Sequence, residues 1–67
     1  MIKNRTYKNF VSALNKIQAK GYDKDEAYAI TDNIFKEFEA NPLGLSIEVR
    51  INRVMNKSDF DALYGRR

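Results

Sequence analysis

Cysteine, histidine and tryptophan are absent from this 67-residue sequence, which contains one proline and three glycines. Without cysteine there are no disulfides, and without cysteine or histidine the usual zinc ligands are missing. We therefore expect no metal and no cofactor, so stability must come from helix packing, with an oligomer interface as a further source. The absence of cysteine also fits a reducing compartment, and we expect a cytoplasmic protein.

Long hydrophobic runs are also missing. No stretch approaches the roughly 20 apolar residues that a membrane span needs, and charged residues are spread through positions 1–20, unlike a secretory signal. We therefore expect no membrane association. The chain begins with Met and is rich in Lys, Asn and Ile. These features are what a complete small reading frame from an AT-rich bacterial or phage genome would show.

The side chains that most enzymes use are scarce. Histidine is the commonest general base and cysteine the strongest nucleophile, and neither is present. The three glycines form no phosphate-binding motif. Acidic clusters at residues 23–26 and 59–61 are interpreted as helix N-terminal caps, where the helix dipole favours carboxylates. We therefore expect a protein that is not an enzyme and has no catalytic residues.

Apolar side chains at helical spacing predict two long helices in the first forty residues. The first spans residues 4–20 and ends at Gly21, which adopts positive φ at little cost. The second spans residues 23–40, begins at a capping box with Asp23 as N-cap, and ends before Pro42, which disfavours helical geometry at the preceding residue. The short turn between them predicts an antiparallel helical hairpin.

The third stretch, at about residues 46–57, is compatible with two structures. Alternating apolar residues from Leu45 to Ile51 are typical of a strand. The same stretch fits a helix capped by Ser46, with only Val49 on the wrong side. Because a lone strand in a helical domain has no partner for its backbone unless a second chain supplies one, we favour the helix.

These elements predict one all-α domain, residues 1–67, with three to four helices. A short fourth helix over residues 58–64 begins with Ser58 as N-cap, and its apolar side is expected to close the core. The expected core residues are Phe10, Val11, Leu14, Ile17, Ala27, Ile30, Ile34, Phe38, Ile51, Val54, Phe60 and Leu63.

One segment resembles a known family. Ile17-Gln18-Ala19-Lys20-Gly21-Tyr22, followed by Glu26-Ala27, resembles the helix–Gly-aromatic–helix opening of ubiquitin-associated-type three-helix domains. The resemblance covers residues 10–55 and implies a three-helix fold there. The Met-Gly-Phe form of that turn is absent and the predicted second helix is longer, so no function is carried across.

Charge is divided along the chain into three segments. Residues 1–20 sum to +5 and contain no acid, residues 21–48 sum to −5, and residues 49–67 sum to +3. The two basic segments either form one surface for nucleic acid or pack on either side of the acidic helix with weak rim ion pairs. The candidate nucleic-acid-binding residues are Arg5, Lys8, Lys16, Lys20, Arg50, Arg53 and Lys57.

Apolar residues outside the buried arcs indicate a protein-binding surface, since aromatic residues are enriched in interfaces. The alternative is that they cover a small core from the side. The candidate protein-binding residues are Tyr22, Tyr28, Leu43, Leu45, Val49 and Tyr64.

The sequence therefore predicts a non-catalytic regulatory or inhibitory protein that docks onto another protein. A small chain of this kind suits a phage or a mobile element. The alternative is a small basic nucleic-acid-binding protein that uses the first helix and residues 50–57. A homodimer is left open as a further form of partner.

Overall fold

The computed structural model describes residues 7–65, and these contain four helices and no strand. The helices are α1 (Tyr7–Gln18), α2 (Lys24–Ala40), α3 (Ile47–Asn52) and α4 (Lys57–Tyr64). The prediction of a small all-α domain is confirmed, and the third stretch is helical rather than extended. Residues 4–6, which the sequence assigns to the first helix, lie outside the described range.

The turn after α1 depends on glycine. The Gly21 N–H donates to the carbonyl oxygen of Gln18 at 2.9 Å. Gly21 has a φ of 108°, a backbone conformation that residues with a Cβ adopt only with strain. A Cβ at this position would also lie 3.0 Å from the Cβ of Lys57. Gly21 therefore stops α1 as predicted, although the last helical residue is Gln18 rather than residue 20.

The capping box at the start of α2 is formed as predicted. The Asp23 carboxylate accepts from the Glu26 N–H at 2.8 Å, and the Glu26 carboxylate accepts from the Asp23 N–H at 3.2 Å. The helix runs to Ala40 with Asn41 as its C-cap. Pro42 follows Asn41, as expected, because proline disfavours helical backbone geometry at the residue before it.

The core lies between antiparallel helices α1 and α2 and is closed by α3. Phe35 and Ile17 are its largest fully buried apolar side chains, and the ring of Phe10 lies 5.5 Å from that of Phe35. Thr31 is also fully buried, and its hydroxyl donates to the Ala27 carbonyl at 2.7 Å, so no polar group is left unpaired there. The buried apolar residues are Ala13, Leu14, Ile17, Tyr22, Ala27, Ile34, Phe35 and Ile51, with Phe10, Ile30, Ile47 and Val54 packed against them.

Four predicted core residues lie outside the core. Val11 and Phe38 are only half-buried and do not pack against it. Phe60 is 40% exposed and Leu63 is 62% exposed, and α4 contains no buried residue. The reason is that α4 is attached to the rest of the chain at the α1–α2 turn and does not cover the core. Phe35, which is absent from the predicted core residues, takes a central position instead.

The boundary between α3 and α4 is also corrected. α3 ends at Asn52 rather than residue 57, and α4 begins at Lys57 with Asn56 in place of Ser58 as the N-cap residue. Two tertiary hydrogen bonds explain the break. The Lys57 N–H donates to the Lys20 carbonyl at 2.8 Å, and the Tyr22 hydroxyl donates to the Met55 carbonyl at 2.7 Å. The backbone between the two helices therefore bonds to the α1–α2 turn instead of continuing a helix.

Candidate docking surfaces

An open apolar groove runs between α1 and α2, on the side away from α3. Its volume is about 680 Å³. We call this site the α1–α2 groove. It is lined by Tyr7, Phe10, Val11, Leu14, Asn15, Gln18, Lys24 and Tyr28.

Aromatic side chains dominate this groove. Tyr7 is 86% exposed and Tyr28 is 55% exposed. The ring of Phe10 lies between the groove and the core, 5.1 Å from the Tyr28 ring and 5.5 Å from the Phe35 ring. The floor is therefore held by core packing, while the tyrosines remain accessible. Rigid aromatic rings of this kind bury a large area with little loss of side-chain entropy, as binding sites require.

A second apolar surface lies on α4. Phe60, Leu63 and Tyr64 occupy positions i, i+3 and i+4 and therefore share one face. Tyr64 is 66% exposed, and its ring lies 4.9 Å from that of Phe60. We call this surface the α4 apolar face. At its base the Phe60 ring meets the buried Tyr22 ring at 6.4 Å, which joins α4 to the core.

The predicted protein-binding residues are not brought together in one site. Tyr22 is wrong as an interface residue because it is only 6% exposed and belongs to the core. The structure places Tyr28 in the α1–α2 groove and Tyr64 on the α4 apolar face. The remaining three, all exposed, lie in the α2–α3 loop or on α3: Leu43, Leu45 and Val49.

Tyr7 and Val11 line the groove and were not among the candidate binding residues. Val11 was expected in the core and is only half-buried, and Tyr7 is the most exposed aromatic side chain described. Phe10, also expected in the core, packs against it and lines the groove. The signal in the sequence is the apolar spacing of α1, which places these residues on one face but does not show which part of that face a neighbouring helix covers.

Two of the candidate nucleic-acid-binding residues are engaged by α2. The Arg50 guanidinium contacts the Glu37 carboxylate at 3.3 Å and donates to the Leu45 carbonyl at 3.0 Å. The Lys57 ammonium contacts the Glu26 carboxylate at 2.8 Å. Glu26 and Glu37 are eleven residues apart, about three helical turns, and so lie on the same side of α2. Arg50 and Lys57 therefore turn toward the acidic helix.

The other candidate basic residues are spread over the surface. Lys8 and Lys16 are exposed on α1 and Lys20 is half-buried. Lys16 borders a separate depression with Ile47 and Glu48, and Arg53 borders one with Glu37 between α2 and α3. Arg5 lies outside the described residues.

The Lys57–Glu26 pair perturbs both ionisable groups. The Lys57 ammonium, and after it the Asp23 N–H, lower the pKa of Glu26 from its ordinary value of 4.5. The Glu26 carboxylate is also the main cause that raises the pKa of Lys57 above 10.5. Because the pKa of Glu26 is lower in the folded state, its ionised carboxylate stabilises the fold above pH 4.5, and this stabilisation is lost as the pH falls through the lowered pKa. Because the pKa of Lys57 is higher in the folded state, its ammonium stabilises the fold below pH 10.5, and this stabilisation is lost as the pH rises through the raised pKa.

Replacing Glu26 with glutamine is therefore expected to reduce thermal stability at pH 7 and to have a shrinking effect as the pH falls below 4.5. Glutamine retains an oxygen that accepts from the Asp23 N–H, so the capping box is preserved and only the charge is lost. Thermal unfolding of wild type and E26Q over a pH series measures the difference in Tm. E48Q, the same change at an exposed position, is the control. A wild-type-minus-E26Q difference that is constant from pH 7 to pH 3 would contradict the assignment.

Residues 7–65 contain no cluster of three or more acidic side chains placed to hold a metal ion. Within the same range, none of the four helices combines the length and apolarity that crossing a membrane requires.

Comparison with known proteins gives no family assignment. No protein-family model matches the chain, and no significant match is found among curated proteins or solved structures. The surfaces of the chain itself therefore provide the basis for a functional inference.

Proposed function

We propose that this chain is a non-catalytic regulatory or inhibitory protein that acts by docking onto another protein through the α1–α2 groove. The observation that carries the proposal is the exposed aromatic lining of this groove, with Tyr7 and Tyr28 accessible beside a packed Phe10. The lack of histidine and cysteine supports a role without catalysis.

The groove has the composition of a helix-binding or peptide-binding site. An apolar floor with a few polar groups at the rim is the usual arrangement when an amphipathic helix docks between two helices. Here the rim polar groups are Asn15, Gln18 and Lys24. Contiguous apolar surface that remains open to solvent on a small chain is typical of an interaction site.

Substituting Tyr28 with lysine is expected to abolish docking and to leave the fold intact. Tyr28 is 55% exposed, so lysine is accommodated, whereas truncating an aromatic anchor costs about 2 kcal/mol or more, roughly thirtyfold in Kd. Tagged wild type and Y28K are used as baits in a lysate of the source cells, and captured proteins are quantified by mass spectrometry.

Asn52→Lys is the matched control, because Asn52 is exposed and does not line the groove. The proposal expects wild type and N52K to capture the same protein and Y28K to lose it. Capture that is equal with Y28K, or no specific capture by wild type, contradicts the proposal.

The nucleic-acid alternative is tested on the same protein. It is disfavoured by Arg50 and Lys57, which contact carboxylates of α2 instead of standing free for phosphates. Binding to mixed duplex and single-stranded DNA is measured at about 50 and 200 mM salt, where phosphate-driven affinity falls steeply. We expect no binding at the lower salt. Binding that weakens steeply with salt would favour the alternative.

A further inference from the structure

The chain carries both halves of a helix-in-groove interface, and in the single chain they are not in contact. One half is the α1–α2 groove, with Tyr7 86% exposed. The other is the α4 apolar face, on a helix with no buried residue. Phe60, Leu63 and Tyr64 have the i, i+3, i+4 spacing by which amphipathic helices anchor in such grooves. Resting on the proposed function, we propose that α4 of a second copy of this chain is a partner that fills the groove, so any other protein must compete with it there.

The dimensions of the two surfaces agree. α4 has eight residues, which corresponds to a length of about 12 Å at 1.5 Å per residue. α1 has twelve residues, so the groove along it is about 18 Å long by the same rise. One α4 helix therefore fits along the groove without overhanging either end.

Charge is complementary across the proposed contact. At 100° per residue, Asp59 and Asp61 border the α4 apolar face on its two sides. The charged residue that lines the groove is Lys24. Lys8 is exposed on the same side of α1 as the lining residue Asn15, about two helical turns from it. Residues 7–20 contain no acid. An acidic amphipathic helix is thus the type of occupant that this side of the groove favours.

The charges on the α2 border do not oppose this arrangement. Asp32 forms an ion pair with Lys36 at 3.1 Å, and Asp25 lies outside the lining. On α4, Asp61 is 3.5 Å from Lys57, whereas Asp59 has no ion-pair partner among residues 7–65. Asp59 is therefore the carboxylate available to Lys24 of the second copy.

Two chains that exchange α4 in this way form a closed dimer. Each copy offers one groove and one α4, so a two-fold exchange uses both surfaces of both copies and forms two identical contacts. Such an exchange also covers the most exposed aromatic residues at once. Oligomerisation is one route by which a chain of this size extends a small core.

The mass of the wild-type chain in solution is the first measurement. Sedimentation equilibrium or light scattering over about 1 µM to 1 mM covers the Kd range of weak to moderate association. We expect a dimer that dissociates on dilution, and Leu63→Glu is expected to weaken it by about a hundredfold because a charge replaces a central anchor. Asn52→Glu, at an exposed position off both surfaces, is expected to dimerise as wild type does.

Charge reversal identifies the contact. Lys24→Glu and Asp59→Lys are each expected to weaken dimerisation by about tenfold, since each change is repeated in two symmetric contacts. The double variant K24E/D59K restores the attraction with the signs exchanged, and we expect dimerisation close to that of wild type. Lys16→Glu is the matched control, because Lys16 borders a different depression and should leave the Kd unchanged.

Three results overturn the inference: a wild-type chain that stays monomeric at the highest concentration, a dimer that L63E does not weaken, or charge reversals that the double variant does not rescue. Failure here is separable from failure of the docking function. If the chain is monomeric but Y28K still loses a captured protein, the groove binds a different partner and only the second-copy inference falls. If the chain dimerises through the groove, the inference stands whatever the lysate contains.

Discussion

Phe35→Ala is expected to leave most of the chain unfolded at 25 °C. Phe35 is 1% exposed and lies at the centre of the α1–α2 interface, where its ring contacts Phe10. Removing a buried phenylalanine side chain costs about 3–5 kcal/mol, the sum of lost transfer energy and the cavity left behind. A core in a chain this small rarely supplies more than about 3–5 kcal/mol in total, so the substitution consumes most of the available stability.

Far-ultraviolet circular dichroism and urea unfolding measure this effect. Phe38→Ala is the matched control, since it removes the same atoms from a side chain that is only half-buried and lies outside the core. We expect F38A to retain wild-type helix content. An F35A variant with an unfolding free energy within about 1 kcal/mol of wild type would mean that Phe35 is not the centre of the core.

Tyr22→Ala is expected to release α4 from the body of the protein. The Tyr22 side chain is buried, its hydroxyl donates to the Met55 carbonyl at 2.7 Å, and its ring meets Phe60. The Lys57 ammonium also lies 5.7 Å from the centre of this ring. Loss of this side chain removes the hydrogen bond and the ring contacts that hold the start of α4. Because isolated helices shorter than about 12 residues are marginal in water, α4 should then lose its helical structure.

Tyr22→Phe separates the hydrogen bond from the packing. It removes only the hydroxyl and should cost about 0.5–1.5 kcal/mol, with α4 still helical. Amide hydrogen exchange reports on α4 directly, and protection in residues 60–64 should be lost in Y22A and largely kept in Y22F. Equal protection of α4 in wild type and Y22A would show that another contact holds this helix.

The attachment of α4 matters for the proposed dimer as well as for the fold. The Lys57–Lys20 backbone hydrogen bond and the Lys57–Glu26 ion pair fix the start of α4 at the α1–α2 turn. The helix therefore leaves the body with its apolar face exposed instead of folding over the core. A chain with a weakened attachment, such as Y22A, should present no ordered helix to a second copy.

Local features of the sequence determined much of this protein. The capping box of Asp23 and Glu26, the stop at Gly21 and the break before Pro42 each involve residues within four positions of one another, so they follow from backbone geometry and near-neighbour hydrogen bonds. The same holds for Ser46, whose hydroxyl accepts from the Val49 N–H at 3.2 Å. These signals were sufficient to predict a helical hairpin followed by further helix.

Only the tertiary structure decided the rest. Tyr22 lies in a turn, where no helical periodicity marks it as buried. It belongs to the core, and its hydroxyl donates a hydrogen bond to the carbonyl of Met55, 33 residues away. The separation of α3 from α4 depends in the same way on the carbonyl of Lys20. Apolar periodicity showed that Phe10 and Phe60 lie on apolar faces. It did not show which neighbour, if any, covers each face, because that depends on how distant helices pack.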